Sequence, residues 1–218
     1  MEMTVKDKYK RRFDKTASYS YNRVNRLRSP GYNRWWNYYS NRKKSFILES
    51  PSLSYFSFSH YKDKSYWENK VVVDCGCGDS PDIDILTDYG AKATGIDLYP
   101  RNGRTRKGNF ILGDIGDDWI DQGWFQKESV DVVLLNAVID LLKPEERDLF
   151  YANAYINLKR GGMMVIYPVR LSMGYGFSVT EEVAKLKLIG FEVKKEFPNL
   201  LVCNKSSNSF FEDLLGNK

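Results

Sequence analysis

The chain has 218 residues, of which 42% are hydrophobic and 28% charged, with 33 Lys and Arg against 28 Asp and Glu. That suits one soluble domain with an extension, and no apolar run approaches the ~18 residues needed to cross a bilayer. Three cysteines and a charged N-terminus, MEMTVKDKYKRR, argue against a disulfide framework and a secretory leader, so the expected compartment is the reducing cytoplasm.

In chain order, residues 1–69 stand apart as a basic, aromatic extension expected to be helical. Residues 1–70 carry 16 Lys and Arg against six acids, with nine of the 15 Tyr and three of the five Trp. Residues 70–218 read as the main domain. KVVVDC is a buried strand because three β-branched residues run into a glycine-rich turn. PDIDILTDYG is a short helix, with Pro81 tolerated at its start and Gly90 at its stop. ATGIDLYP, NFILGD and VDVVLLN are the next three strands. PEERDLFYANAYINLKRGG is a helix with Pro144 and acids at its start, Lys159 and Arg160 in its last turn, and Gly161 as its stop. MMVIYPV is the fifth strand. SVTEEVAKLKLIG is a helix opened by Ser178 and Glu181 at capping-box spacing and closed by Gly190. FEVKKEF and LLVCNK are too close for a crossover and predict an antiparallel hairpin. The fold class expected is therefore α/β: a Rossmann-like, seven-stranded, mostly parallel sheet with an antiparallel last strand.

The stretch VVVDCGCGDS carries the first chemical signal. Strand, Gly-x-Gly turn and helix are the setting of a mononucleotide site, where Gly76 and Gly78 let backbone approach a ligand. Asp74 precedes the first glycine; it would repel a pyrophosphate but suits a ligand amino group. Asp97 ends the second strand, where a carboxylate can take both ribose hydroxyls, and Asp114 ends the third, where it can accept from an adenine amino group. Three acids at successive strand ends fit an adenosine that carries an ammonium and no phosphate, which is S-adenosylmethionine. Cys75 and Cys77 face no second cysteine pair, and His60 is the sole histidine, so no metal site is expected.

VVVDCGCGDS, GAKATGIDLYP, ILGDIGD, VDVVLLNAVIDLL and LKRGGMMVI, in that order over residues 70 to about 204, resemble the class I S-adenosylmethionine-dependent methyltransferases. The resemblance implies that Asp74, Cys75, Gly76 and Gly78 line the amino-acid end of the cofactor, Asp97 and Leu98 the ribose, and Asp114 with Ile115 the adenine. It also places Asn136 near the sulfonium and the methyl acceptor. The usual third glycine is Ser80, and the basic RNGRTRKGN replaces a helix between strands two and three.

The acceptor is read less directly. NAVIDLL lacks the Asn/Asp-Pro-Pro-aromatic motif of exocyclic-amine methylation, and no cysteine is placed for carbon-5 chemistry on pyrimidines. FDKTASYSYNRVNRLRSPGYNRWW is similar to the N-terminal lid of ubiquinone/menaquinone-pathway C-methyltransferases, through Phe13, Asp14, Ala17, Tyr21, Asn25, Ser29, Gly31 and Trp35. That similarity implies a small-molecule acceptor. The rival reading takes the basic arm, with Arg101, Arg104, Arg106 and Lys107, as a surface for RNA or for a protein substrate. A non-catalytic cofactor-binding protein of the same fold is the third. Tyr21, His60 and Asp140 are the candidate general bases.

Overall fold

A computed structural model describes residues 63–77, 82–97, 107–136, 138–139, 142–167, 178–197 and 200–206. The elements are α1 (Lys64–Trp67), β1 (Val71–Cys75), α2 (Asp82–Asp88), β2 (Lys92–Asp97), β3 (Asn109–Leu112), β4 (Val130–Asn136), α3 (Pro144–Asn157), β5 (Leu158–Tyr167), α4 (Val179–Ile189), β6 (Phe191–Phe197) and β7 (Leu200–Lys205). They build a seven-stranded sheet of order β3-β2-β1-β4-β5-β7-β6. The strands from β3 to β5 pair in parallel, β7 is antiparallel to β5, and β6 and β7 form the antiparallel hairpin. This is the Rossmann-like, mostly parallel sheet expected from the alternation of strands and helices.

Each face of the sheet carries its own core, because side chains alternate along each strand. Val73, Cys75, Val133, Leu135, Met164 and Ile166 lie on one face, packed with Trp119 and with Phe150, Tyr151 and Ala154 of α3. Val72, Ala93, Val132, Leu134 and Val165 lie on the other with Ile83 and Leu86 of α2. Trp67, which the sequence reading assigns to the extension, is buried in this second core. At about 25 cal/mol per Å² of apolar surface removed from water, burial on both faces is the dominant favourable contribution to folding.

The helix ends follow local chemistry. Gly90 and Gly190 take φ of +85° and +113°, as glycine stops do. The hydroxyl of Ser178 accepts from the Glu181 N–H at 3.3 Å, and the Lys143 N–H donates to the Glu146 carboxylate at 2.9 Å. One boundary differs from expectation. Helix α3 ends at Asn157, and Lys159, Arg160 and Gly161 belong to β5. The shift has a cause: Val130 pairs with Leu158 but Val132 pairs with Met163, so the intervening residues form an irregularity. Gly161 at φ +73° permits it, and Lys159 ties it to Asp131 at 2.8 Å.

Candidate functional site

In open α/β sheets a ligand sits outside the carboxyl ends of the strands, where the strand order reverses. Here β1 lies between β2 and β4, so the crevice is expected at the ends of those three strands. The register puts Asp74 opposite Leu134 of β4 and Gly95 of β2, with Asn136 opposite Tyr167 of β5. Asp74 is two residues beyond Val72, Asp97 four beyond Ala93 and Asn136 two beyond Leu134. Those three apolar residues all belong to the core on the α2 face. By alternation the two carboxylates and the amide therefore share that face.

Backbone hydrogen bonds pin the strand ends together. The N–H groups of Gly76 and Cys77 donate to the Ile96 carbonyl at 2.8 and 3.3 Å, and the Gly113 N–H donates to the Asp97 carbonyl at 3.0 Å. Gly76 takes φ +69°, and a Cβ there would stand 2.4 Å from Val138 Cγ2. The turn is thus glycine-dependent for conformation and for space.

The acids have different surroundings. Asp74 is 1% exposed and Asp97 partly exposed. Asp114 is buried, and its Oδ1 accepts from the Gly116 N–H at 2.9 Å, closing the turn after β3. The plain turn-forming role and the binding role are therefore compatible in one side chain. Ile115 is buried beside it, and its carbonyl accepts from Trp119 Nε1 at 3.0 Å and from Asn153 Nδ2 at 3.4 Å. Asn136 Nδ2 is buried with no hydrogen-bond acceptor within reach among the described residues.

The cysteines divide between the two cores. Cys75 packs on the α3 face and Cys77 on the α2 face, where its Sγ fills the space a Gly95 Cβ would need. Burial, and then the Asp74 carboxylate, push the Cys75 thiol well above its ordinary value, so it is a neutral packing group. Only the backbone of Cys75 is left to meet a ligand. Burial likewise pushes Cys203, in β7, up to about 12.

Of the residues expected at the site, the structure brings together Asp74, Cys75, Gly76, Asp97, Asp114, Ile115 and Asn136. Gly78, Leu98, Tyr21, His60 and Asp140 lie outside the described residues, as do the basic arm and Arg101, Arg104 and Arg106. Sequence reasoning missed Val138, Trp119 and Asn153. Asn153 and Asn157 had a signal, being amides four residues apart on the apolar face of α3; such residues are kept by carbonyl partners.

The donor set fits the nucleoside expected. At the ends of these strands the described side chains include the carboxylates of Asp74, Asp97 and Asp114, which suit an ammonium and hydroxyls. No helix among the described residues is long and apolar enough to cross a membrane.

Residues 73–166 match the family described as a methyltransferase domain. No curated protein sequence matches the chain. Among solved structures it is similar to an S-adenosylmethionine-dependent methyltransferase from Archaeoglobus fulgidus, with 17% identity over 75% of this chain and 76% of that one, at a TM-score of 0.55. It is similar to the 1,6-didemethyltoxoflavin-N1-methyltransferase of Burkholderia thailandensis, bound to its namesake compound and S-adenosylhomocysteine. That match has 17% identity, 73% and 88% coverage and a TM-score of 0.51. A third is the magnesium protoporphyrin IX methyltransferase of Synechocystis PCC 6803 with S-adenosylhomocysteine bound, at 14% identity, 82% and 95% coverage and a TM-score of 0.56. At such identities the likeness is one of fold. Residues 73–166 match a methyltransferase domain, and the fold of the chain is that of the S-adenosylmethionine-dependent methyltransferases.

Proposed function

We propose that this chain is an S-adenosylmethionine-dependent methyltransferase acting on a small-molecule acceptor, with Asp74, Gly76 and Gly78 at the amino-acid end of the cofactor, Asp97 and Leu98 at the ribose, and Asp114 and Ile115 at the adenine. The observation that carries the cofactor assignment is the row of acids at neighbouring strand ends, with Asp74 and Asp97 on one face. The cofactor supplies a methyl group on a sulfonium, already joined to a good leaving group. What remains for the chain is to hold that end still and to exclude water from the line of attack. Asp74, in a buried position, attracts the ammonium. Asp97 accepts from two hydroxyls, and Asp114 from the adenine amino group, whose donor it can meet while still closing its own turn.

The acceptor lies at the end of β4. The buried Asn136 Nδ2 needs a hydrogen-bond acceptor, which an oxygen or ring nitrogen of a small substrate can supply. The tetrapeptide at this strand end, Asn136-Ala137-Val138-Ile139, has none of the prolines that shape sites for extruded bases. Two solved methyltransferases of similar fold are named for small molecules, 1,6-didemethyltoxoflavin and magnesium protoporphyrin IX, which supports this reading. Residues 1–69 are proposed as the lid that completes the acceptor pocket, with Tyr21, His60 and Asp140 as the groups from which any general base is drawn.

The test is the ribose assignment. Asp97→Ala should weaken S-adenosylhomocysteine binding by about 10-fold or more, since hydrogen bonds to a charged group contribute about 1.5–3 kcal/mol. Titration calorimetry reads this directly, and wild-type affinity in the variant would remove Asp97 from the site.

A further inference from the structure

The turn after β3 is held in place by a residue of α3. Asn153 Nδ2 donates to the Asp117 carbonyl at 2.6 Å and to the Ile115 carbonyl at 3.4 Å. Both partners are carbonyls, so only the amide nitrogen can face them. The residue is buried, and the contacts join positions 36 and 38 residues apart in the chain. Trp119 Nε1 shares the Ile115 carbonyl, and Trp119 is itself fully buried against Phe150 of the same helix. The Asp117 N–H donates to the Asp114 carbonyl at 2.9 Å, so the whole span from Asp114 to Asp117 is closed internally and anchored to α3.

We propose that Asn153 is a positioning residue for the adenine. By fixing the carbonyls of Ile115 and Asp117 from α3, it sets where the Asp114 carboxylate and the Ile115 side chain meet the base. The chain's preference for a 6-amino purine then depends on a helix residue that never touches the ligand. The inference rests on the assignment of Asp114 and Ile115 to the adenine made above, and it adds the element that holds them. Without Asn153 the Ile115 carbonyl keeps Trp119, but the Asp117 carbonyl loses its side-chain tether and the turn can drift from its register.

The experiment uses the full chain and two probes, S-adenosylhomocysteine and its 6-oxo counterpart S-inosylhomocysteine, titrated against wild type, Asn153→Leu and Asn153→Asp. Leucine fills a similar volume without donors, whereas aspartate keeps the shape and turns a donor into an acceptor. Both variants should bind S-adenosylhomocysteine about 10-fold more weakly. The ratio between the two probes, which should favour the amino form in wild type, should fall toward one. A role in stability alone would lower the melting temperature and leave that ratio intact, and this result would overturn the proposal. Wild-type affinity and ratio in whichever variant folds would overturn it too. If wild type itself fails to bind S-adenosylhomocysteine, the cofactor assignment falls first. If wild type binds but Asp114→Ala keeps the full preference, the adenine assignment fails independently of Asn153.

Discussion

Gly76 joins backbone conformation to the proposed cofactor site in a single residue. Its φ of +69° lies in the region where a Cβ meets the following carbonyl, at a cost of roughly 1–2 kcal/mol for other residues. Its free side is closed by Val138, 2.4 Å from where the Cβ would stand. Gly76→Ala should therefore lower stability by about 2–3 kcal/mol, the strain adding to an overpacking term. A scanning calorimeter should see a fall of about 4–12 °C for a chain of this size. Gly76→Ala with Val138→Ala removes the steric conflict but not the conformational one, so it should regain part of the loss. A single variant as stable as wild type would show that the turn is looser than its geometry. The glycine was legible in the sequence because Gly-x-Gly after a β-branched run has a backbone meaning. Val138 was not, because its contact depends on how the loop after β4 folds over β1.

At the scale of elements, a buried polar cluster joins α3 to α4. Glu182 Oε2 accepts from the Tyr151 hydroxyl at 2.8 Å, and Arg147 Nε stands 3.5 Å from Glu182 Oε1. All three residues are buried. Burial and then the neighbouring Glu182 carboxylate push the Tyr151 hydroxyl far above its ordinary value, so it stays a neutral donor. Removing one partner of such a cluster strands the others, at about 3–5 kcal/mol. Glu182→Ala should accordingly shift the urea midpoint well below wild type, whereas Arg147→Met with Glu182→Leu should recover most of it. Cofactor affinity should hold in both, because the cluster faces α4 and the proposed adenine turn is held by Asn153. A Glu182→Ala variant of wild-type stability would show that water replaces the carboxylate. The same helix shows why boundaries were harder to read than elements. Lys159, Arg160 and Gly161 have the composition of a helix stop, yet the chain passes from Asn157 straight into β5. The deciding contacts, Leu158 with Val130 and Lys159 with Asp131, come from a strand some 28 residues earlier.

For the whole molecule, the uneven charge is what sets the two acceptor readings apart. Residues 1–70 hold a surplus of ten positive charges, and the remaining 17 Lys and Arg are outweighed by 22 acids. The succession of strands along the chain and the acids at their ends were legible because each follows from local pattern. The acceptor was not, because residues 1–62 and 98–106, which carry the arm and the basic loop, lie outside the described residues and a solvated basic face reads like a binding one. Salt separates the readings. An arm that neutralises six phosphates would lose about 10³-fold in affinity between 50 and 200 mM salt, because bound counterions are released on association. A small, weakly charged acceptor displaces no such atmosphere, and beyond the Debye length of about 8–10 Å the arm's field is screened. With methyl transfer followed at both salt concentrations, the proposed small-molecule reaction should change its acceptor KM by less than about 3-fold. A steep loss with salt, together with competition by unfractionated RNA, would move the acceptor assignment to nucleic acid while leaving the cofactor site as assigned.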